Sequence, residues 1–391
     1  MANAPRRKVC FVITSKIHYS RNKRVLAEIK KHPRLELQVV VGGAALVEKT
    51  GVVVPELEAD GFSIDAEYHM TLEGSSPMAM AKSAGIGLME ITSVFHRLAP
   101  DIVVVRGDRY EVLPVAVAAA YMNIPVAHIE GGDVTGSIDE SIRHAITKLA
   151  HIHFPTNDES AQRIVRMGER PDFVFTVGSP ELEVVVNNSF RISDRYVNSL
   201  GVGDVIKLNE PFLMVMQHSV TTEASEALDQ IMETLHAVND AEIPAIWFWP
   251  NLDAGSDLIS KGIRMFREQH QPKHMRFLRY LPSEEFYALL QKTACLVGNS
   301  SAGFKEAALL GTPVVNIGSR QNGRFGKNRG KQIVLAKHDR ADIQRAIQKQ
   351  LKSGRYAPDK TMYRKDTARR IAETLSKVVL YTQKQFVDKL R

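Results

Sequence analysis

Cysteine is nearly absent from this chain. Cys10 and Cys295 are its only two in 391 residues, and both sit in apolar runs, VCFVIT and ACLVGN. Two such thiols read as buried strand residues; they give no disulfide framework and suit a reducing compartment. Long apolar runs are missing too: nothing approaches the roughly 20 apolar residues of a membrane span. The basic start MANAPRRKVCFVITSK is cut off by Lys16 before its apolar stretch reaches signal-peptide length. The expectation is a soluble, cytoplasmic protein with no membrane partner. There is no Walker loop, no Gly-x-Gly-x-x-Gly fingerprint and no nucleophile elbow, which disfavours ATP and nicotinamide chemistry. The basic stretches carry no aromatic interleaving and no recognition motif for nucleic acid. The net charge of +7 therefore points to an anionic small molecule such as a phosphate ester.

What is present is alternation. Apolar strand-like runs (VCFVIT, LELQVVVGG, DIVVVRGD, IPVAHIEGG, HIHFPT, FVFTVGSP) are separated by helical stretches near Ser20–Lys31, Ser76–Leu98, PVAVAAAYMN, SIDESIRHAITKLA and Asp158–Met167. The pattern weakens from about Asn187 to Glu210 and then restarts with PFLMVMQH, PAIWFWPN, MRFLRYL, ACLVGNS, TPVVNIG and QIVLAK, again spaced by helices. Strands separated by helices imply parallel pairing with both faces covered. The fold expected is α/β, two Rossmann-like domains facing across a cleft: residues 1–190, residues 191–365, and a terminal helix over 366–391 packing back on the first domain. ADIQRAIQKQL and DTARRIAETLSKVVLYTQKQ both read as helices.

Ligands of open α/β sheets lie beyond the carboxyl ends of the strands. The run from Ile102 to His144 ends two strands in charged and glycine residues, so Asp108, Arg109, Glu130, Asp133, Asp139, Arg143 and His144 are expected at one mouth. Acids, a cation and an imidazole are the parts for moving protons on a bound polar molecule. In the second half His218 ends a strand, where an imidazole suits acid/base work; a capped structural histidine is the rival reading. Ser300 and Ser301 follow a strand at a helix start, fit to hold an anion or simply to cap. Glu306, further along, would grip vicinal ribose hydroxyls or be a solvated helix residue. Arg320 follows TPVVNIG at the same edge, while Arg324 and Lys327 read as a mobile solvated loop. Asn251 and Asp253 would touch ligand hydroxyls or close a turn. His151 and His153 form His-x-His on a strand with no third ligand in view and are read as structural; no metal site and no cofactor is expected.

Taken in order, RGDRYE, HIEGGDVTGSIDESIRHAITKLAH, VGSP, QHSVTTE, PNLDAGS and GNSSAGFKEAALLGTPVVNIGSRQNGR closely resemble the hydrolysing UDP-N-acetylglucosamine 2-epimerase family, from about Val9 to Val334. The resemblance implies the GT-B arrangement with a UDP-sugar in the cleft. It implies loss of the proton at sugar C2 as the C1–O bond to UDP breaks, a 2-acetamidoglucal intermediate, and hydration to UDP and an N-acetylmannosamine-type sugar that feeds sialic-acid-like synthesis. The related non-hydrolysing enzymes carry Thr where this chain has Arg109. By the same resemblance Asp108, Glu130 and Asp139 match catalytic carboxylates, with Glu130 the expected proton carrier at C2, and His218 matches a histidine near the diphosphate. Arg109, Ser300, Ser301, Glu306 and Arg320 match substrate contacts, His144 and Asn251 match motif positions, and a homo-oligomer (dimer or tetramer) is implied. The loop after the first strand departs from the family's Arg-Ala-Asp/Glu-Tyr: here it is Lys16-Ile17-His18-Tyr19-Ser20. Lys16 keeps the charge without the two-pronged geometry of arginine. With Ser20 it would lie over the substrate, which leaves a diacetamido-trideoxy (bacillosamine-type) nucleotide sugar as an alternative. A GT-B glycosyltransferase using a nucleotide-sugar donor is the runner-up.

Overall fold

The computed structural model describes residues 5–48, 52–74, 76–187, 191–251, 253–324 and 330–388. Lys327 lies outside them. The first half alternates β1 (Arg7–Ile13), α1 (Lys16–Lys31), β2 (Leu35–Gly42), α2 (Val54–Ala59), β3 (Ala66–Tyr68), α3 (Pro77–Leu98), β4 (Ile102–Arg106), α4 (Leu113–Tyr121), β5 (Val126–Ile129), α5 (Ile138–Leu149), β6 (Ile152–Phe154), α6 (Asp158–Arg166) and α7 (Pro180–Asn187). The second runs α8 (Asp194–Ser199), β7 (Val202–Gly203), β8 (Leu213–Met216), α9 (Ala227–Asp240), β9 (Ala245–Phe248), α10 (Ser256–His270), β10 (Met275–Leu278), α11 (Ser283–Lys292), β11 (Cys295–Gly298), α12 (Glu306–Leu310), β12 (Val314–Ile317), β13 (Ile333–Ala336) and α13 (Arg340–Ser353), before α14 (Thr367–Lys377).

The first sheet has the order β3-β2-β1-β4-β5-β6 and the second β13-β12-β11-β8-β9-β10-β7. All neighbours are parallel except the short edge pair β7–β10. Each half is thus a doubly wound sheet whose strand order reverses once, between β1 and β4 in the first and between β8 and β11 in the second. A crevice opens at such a reversal because the loops leaving the two strands go to opposite faces. The strands are buried on both faces. The odd residues of β1 (Val9, Phe11, Ile13) pack in one layer and Cys10 and Val12 in the other. Leu213 and Val215 of β8 are likewise divided from Met214. Burial pushes the thiols of Cys10 and Cys295 well up, so both are protonated core side chains.

The helix α14 returns to the first half. Ile371 and Leu375 join its core, and the Arg7 guanidinium donates to the Val378 carbonyl at 3.0 Å. Three local expectations fail. FVFTVGSP forms no strand; Val174 makes an isolated bridge to His153, and the segment bends through a 3₁₀ turn at Pro171–Phe173. The terminal helix stops at Lys377. Beyond it Tyr381 stacks on Phe173 and donates to the His151 carbonyl, and such tertiary contacts hold the chain extended. The helix read over Ala302–Leu310 is broken, with a 3₁₀ turn at Ser301–Gly303 and Lys305 held at φ −114°, ψ −81°. Among the described residues no helix is long and apolar enough to cross a membrane.

Candidate functional site in the cleft

Both strand reversals face the same cleft. On the first half, Lys16 and Ser20 follow β1, Asp108 and Arg109 follow β4, Glu130 ends β5, and Asp139 opens α5. On the second, His218 follows β8, Asn251 and Asp253 follow β9, Ser300, Ser301 and Glu306 follow β11, and Arg320 follows β12. The halves touch directly. Gly136 donates its N–H to the Arg320 carbonyl at 3.1 Å, and Tyr280 donates its hydroxyl to Glu56 at 3.3 Å. Gly136 permits this approach, since a Cβ there would overlap the Ser319 carbonyl oxygen.

The carboxylates fall into two groups. Asp108 pairs with Arg143, whose other nitrogen donates to the Asp133 carbonyl at 2.9 Å. Burial alone would raise Asp108, but Arg143, Arg324 and Lys305 together hold it well below the usual carboxylate range. Among the described residues no cation forms an ion pair with Asp139. It accepts a hydrogen bond from the Ser137 hydroxyl at 3.0 Å. Burial, then repulsion from Asp108 and Asp253, lifts it to about 6, against the pull of Arg320 and Arg109. Two neighbouring acids whose environments push their pKa values apart are a means of holding one ionised and one protonated at the same pH.

Glu130 belongs to the second group. Its backbone sits at φ 71°, a left-handed conformation uncommon for a residue with a side chain and often found where function fixes geometry. Its carboxylate meets Arg106 at 2.9 Å and the Lys305 ammonium. Arg106 also holds Glu181 at 2.5 Å, Lys305 lies 3.6 Å from Glu181, and Arg21 bridges Glu181 and Glu306 at 3.9 and 3.1 Å.

On the opposite rim His218 is clamped by Asn299. The His218 N–H donates to Oδ1 at 2.8 Å, and Nδ2 donates to the His218 carbonyl at 2.8 Å, tying the two strand ends of the reversal together. The ring Nδ1 accepts from the Asn251 N–H at 3.3 Å, so the proton of the neutral ring is on Nε2. Burial, then Arg320, lowers its pKa to about 3. At neutral pH His218 is an uncharged donor. Asp253 gathers Arg109 at 3.2 Å and Arg320 at 3.7 Å, and Arg320 also donates to the Asn299 carbonyl at 3.3 Å.

The remaining residues take partners within the protein, some of them the structural alternatives offered above. The Ser300 hydroxyl accepts from the Ala302 N–H at 3.3 Å, as a cap does. Glu306 is buried rather than solvated, with one oxygen on Arg21 and Oε2 without a hydrogen-bond partner. Lys16 lies 3.0 Å from Glu56 and 3.9 Å from the Tyr280 ring centre, and the Ser20 hydroxyl turns back to the Ile17 carbonyl. His144 faces Glu140 one turn away at 3.7 Å and joins neither carboxylate group. His153 meets Glu169 at 3.2 Å and His151 the Thr382 carbonyl at 3.1 Å. Arg324 is not a solvated loop residue: it is buried 3.7 Å from Asp133. Arg106, Glu181 and Lys305 were missed. The available signal was Arg106, a cation closing the otherwise apolar strand IVVVR.

Fold and site together define a GT-B-type protein, with two Rossmann-like domains meeting across a cleft lined by carboxylates on one side and a histidine and arginine on the other. Residues 27–376 match the family described as UDP-N-acetylglucosamine 2-epimerase, and the chain belongs to that family. A UDP-N,N'-diacetylbacillosamine 2-epimerase (hydrolyzing) of Legionella pneumophila is 34% identical over 316 residues, 81% of this chain and 82% of its own. A UDP-N-acetylglucosamine 2-epimerase of Neisseria meningitidis is 29% identical over 391 residues, 98% of this chain and 99% of its own. The crystal structure of a Neisseria meningitidis UDP-GlcNAc 2-epimerase bound to UDP-GlcNAc superposes with a TM-score of 0.75 at 17% identity, over 95% of this chain and 100% of that one.

Proposed function

We propose that this protein hydrolyses a UDP-linked 2-acetamido sugar with inversion at C2, acting on UDP-N-acetylglucosamine or a diacetamido-trideoxy relative. The observation that carries the reading is the carboxylate set in the cleft. Asp108 is held ionised and Asp139 is poised near pH 6, opposite His218 and Arg320. Glu130 takes the C2 proton while the C1–O electrons leave with the nucleoside diphosphate, giving a 2-acetamidoglucal. Asp139 delivers its proton to C2 from the other face, water adds at C1 and its proton restores Asp139, and Glu130 gives up the proton it took to solvent as the nucleotide leaves. Arg320, Arg109 and the neutral Nε2–H of His218 meet the departing oxygens, with Ser300 and Ser301 beside them. Such donors are worth most where charge develops in a site shielded from water. Glu306 and Lys16 serve the nucleotide side. The Legionella relative's hydrolyzing, diacetamido specificity supports both hydrolysis and the second substrate.

The test is a panel of nucleotide sugars incubated with the protein and no acceptor. The reading predicts free UDP and an equal amount of a reducing 2-acetamido sugar with manno stereochemistry from at least one member. Nucleotide release only when an acceptor is added would show a glycosyltransferase instead.

A further inference from the structure

The Lys305 side chain is fully buried between two carboxylates of the opposite half, Glu130 and Glu181. Burial, then the charges of Arg21, Arg324 and Arg106, pull its pKa down against the pull of Glu306, so the amine is charged only while the carboxylates stay against it. It leaves the chain where the helix after Ser301 breaks, at a backbone conformation that belongs to neither helix segment. Around it lies a cluster of charges. Arg21, Arg106 and Lys305 face Glu130, Glu181 and Glu306, three cations against three carboxylates. Four of these six are on the first half; Lys305 and Glu306 come from the second. Across the cleft, Glu306 pairs with Arg21 and Lys305 with Glu130. Asp108 and Arg324 lie just beyond as a further opposite pair, and Tyr287 packs beside Glu306.

From this we infer that Lys305 is a positioning residue for Glu130: delivered by the nucleotide-binding half, its ammonium keeps the Glu130 carboxylate ionised and aimed while the halves are together. The inference rests on the proposed role of Glu130. An uncompensated charge in a buried site is expensive, and the group with the weaker remaining support takes up or loses a proton instead. Without Lys305 the set carries one excess negative charge. Glu181 keeps both Arg106 and Arg21, while Glu130 keeps only the Nε of Arg106. The proton goes to Glu130, and a protonated Glu130 cannot accept the C2 proton.

Four proteins test this: wild type, Lys305→Met, Lys305→Arg, and Lys305→Met with Glu130→Gln, which restores charge balance. Lys305→Met should lower kcat by about 10²-fold, the range of one positioned acid/base group. UDP affinity should stay within about threefold, because the lost interaction is not a uniform binding contact. Lys305→Arg, which restores the charge, should recover part of kcat. The infrared difference spectrum of Lys305→Met against wild type at pH 7 should show the carbonyl stretch of a protonated carboxyl, absent from the double variant. The double variant should also melt above Lys305→Met. A Lys305→Met spectrum without that band, or a fall in UDP affinity equal to the fall in kcat/KM, overturns the inference. Should wild type release nucleotide from no sugar, the functional reading fails, while the infrared comparison still decides the role of Lys305.

Discussion

Asp108 and Asp139 are the same residue type, yet their surroundings displace their pKa values in opposite directions. Arg143, with Arg324 and Lys305 behind it, holds Asp108 down, whereas Asp139 accepts from the Ser137 hydroxyl and is raised by burial and by Asp108 and Asp253. The shift of Asp139 has a sign that stability can read. Its folded pKa, about 6, stands above an ordinary aspartate value near 3.9. A raised carboxyl favours the fold fully below the unfolded value and loses that contribution as pH climbs through the folded one. Asp139→Asn should therefore melt above wild type at pH 8 by a margin that shrinks to nothing near pH 4, and it should turn over no substrate. A margin that is the same at both pH values would mean that Asp139 is not raised. This is the pattern of a group kept for activity at a cost in stability. The carboxylates were legible in the sequence because they end apolar strands in short charged clusters. Lys305 and Arg324 were not, because a lysine inside a helical pattern and an arginine in a glycine-rich loop look solvated until the opposite half covers them.

Strands and the longer helices were legible for a simple reason: continuous burial on both faces writes unbroken apolar runs such as Ile102–Val105. Ser76, whose hydroxyl accepts from the Ala79 N–H at 3.1 Å, marks the start of α3 as expected. The short edge strands β3 and β7 and the broken helix at Lys305 are set by tertiary contacts and leave no periodicity. The segment from Asn187 to Glu210, where the sequence pattern weakens, contains α8 and β7, and one side chain gathers many of its carbonyls. Arg276 of β10 donates to the carbonyls of Val197, Asn198, Leu200, Gly203 and Asp204. Arg276→Met removes all these donors, and unsatisfied buried carbonyls cost about 1–3 kcal/mol each where water cannot replace the donor. With water reaching some of them, a loss of about 3 kcal/mol in urea unfolding is expected. Amide exchange across residues 194–204 should rise with it. Unchanged exchange there would show that the segment is held by its apolar contacts alone.

At the scale of the whole molecule, two similar sheets have been turned so that their strand reversals confront each other. In the proposed reading neither half holds a complete site: the acids that would move protons are on the first together with Arg109, while His218 and Arg320, which would face the leaving group, are on the second. Alternation along the chain made the two halves legible, whereas the contacts across the cleft, Gly136 to Arg320 and Arg109 to Asp253, link residues far apart in sequence and have no local signature. The central claim is that the confronted halves exchange the proton at sugar C2 while the nucleotide departs. The direct measurement is turnover of the accepted nucleotide sugar in deuterium oxide without acceptor, with the released sugar read by proton NMR. The account predicts one deuterium at C2 of every product molecule. Nucleotide release with protium retained at C2 would contradict it and reduce the reaction to plain hydrolysis.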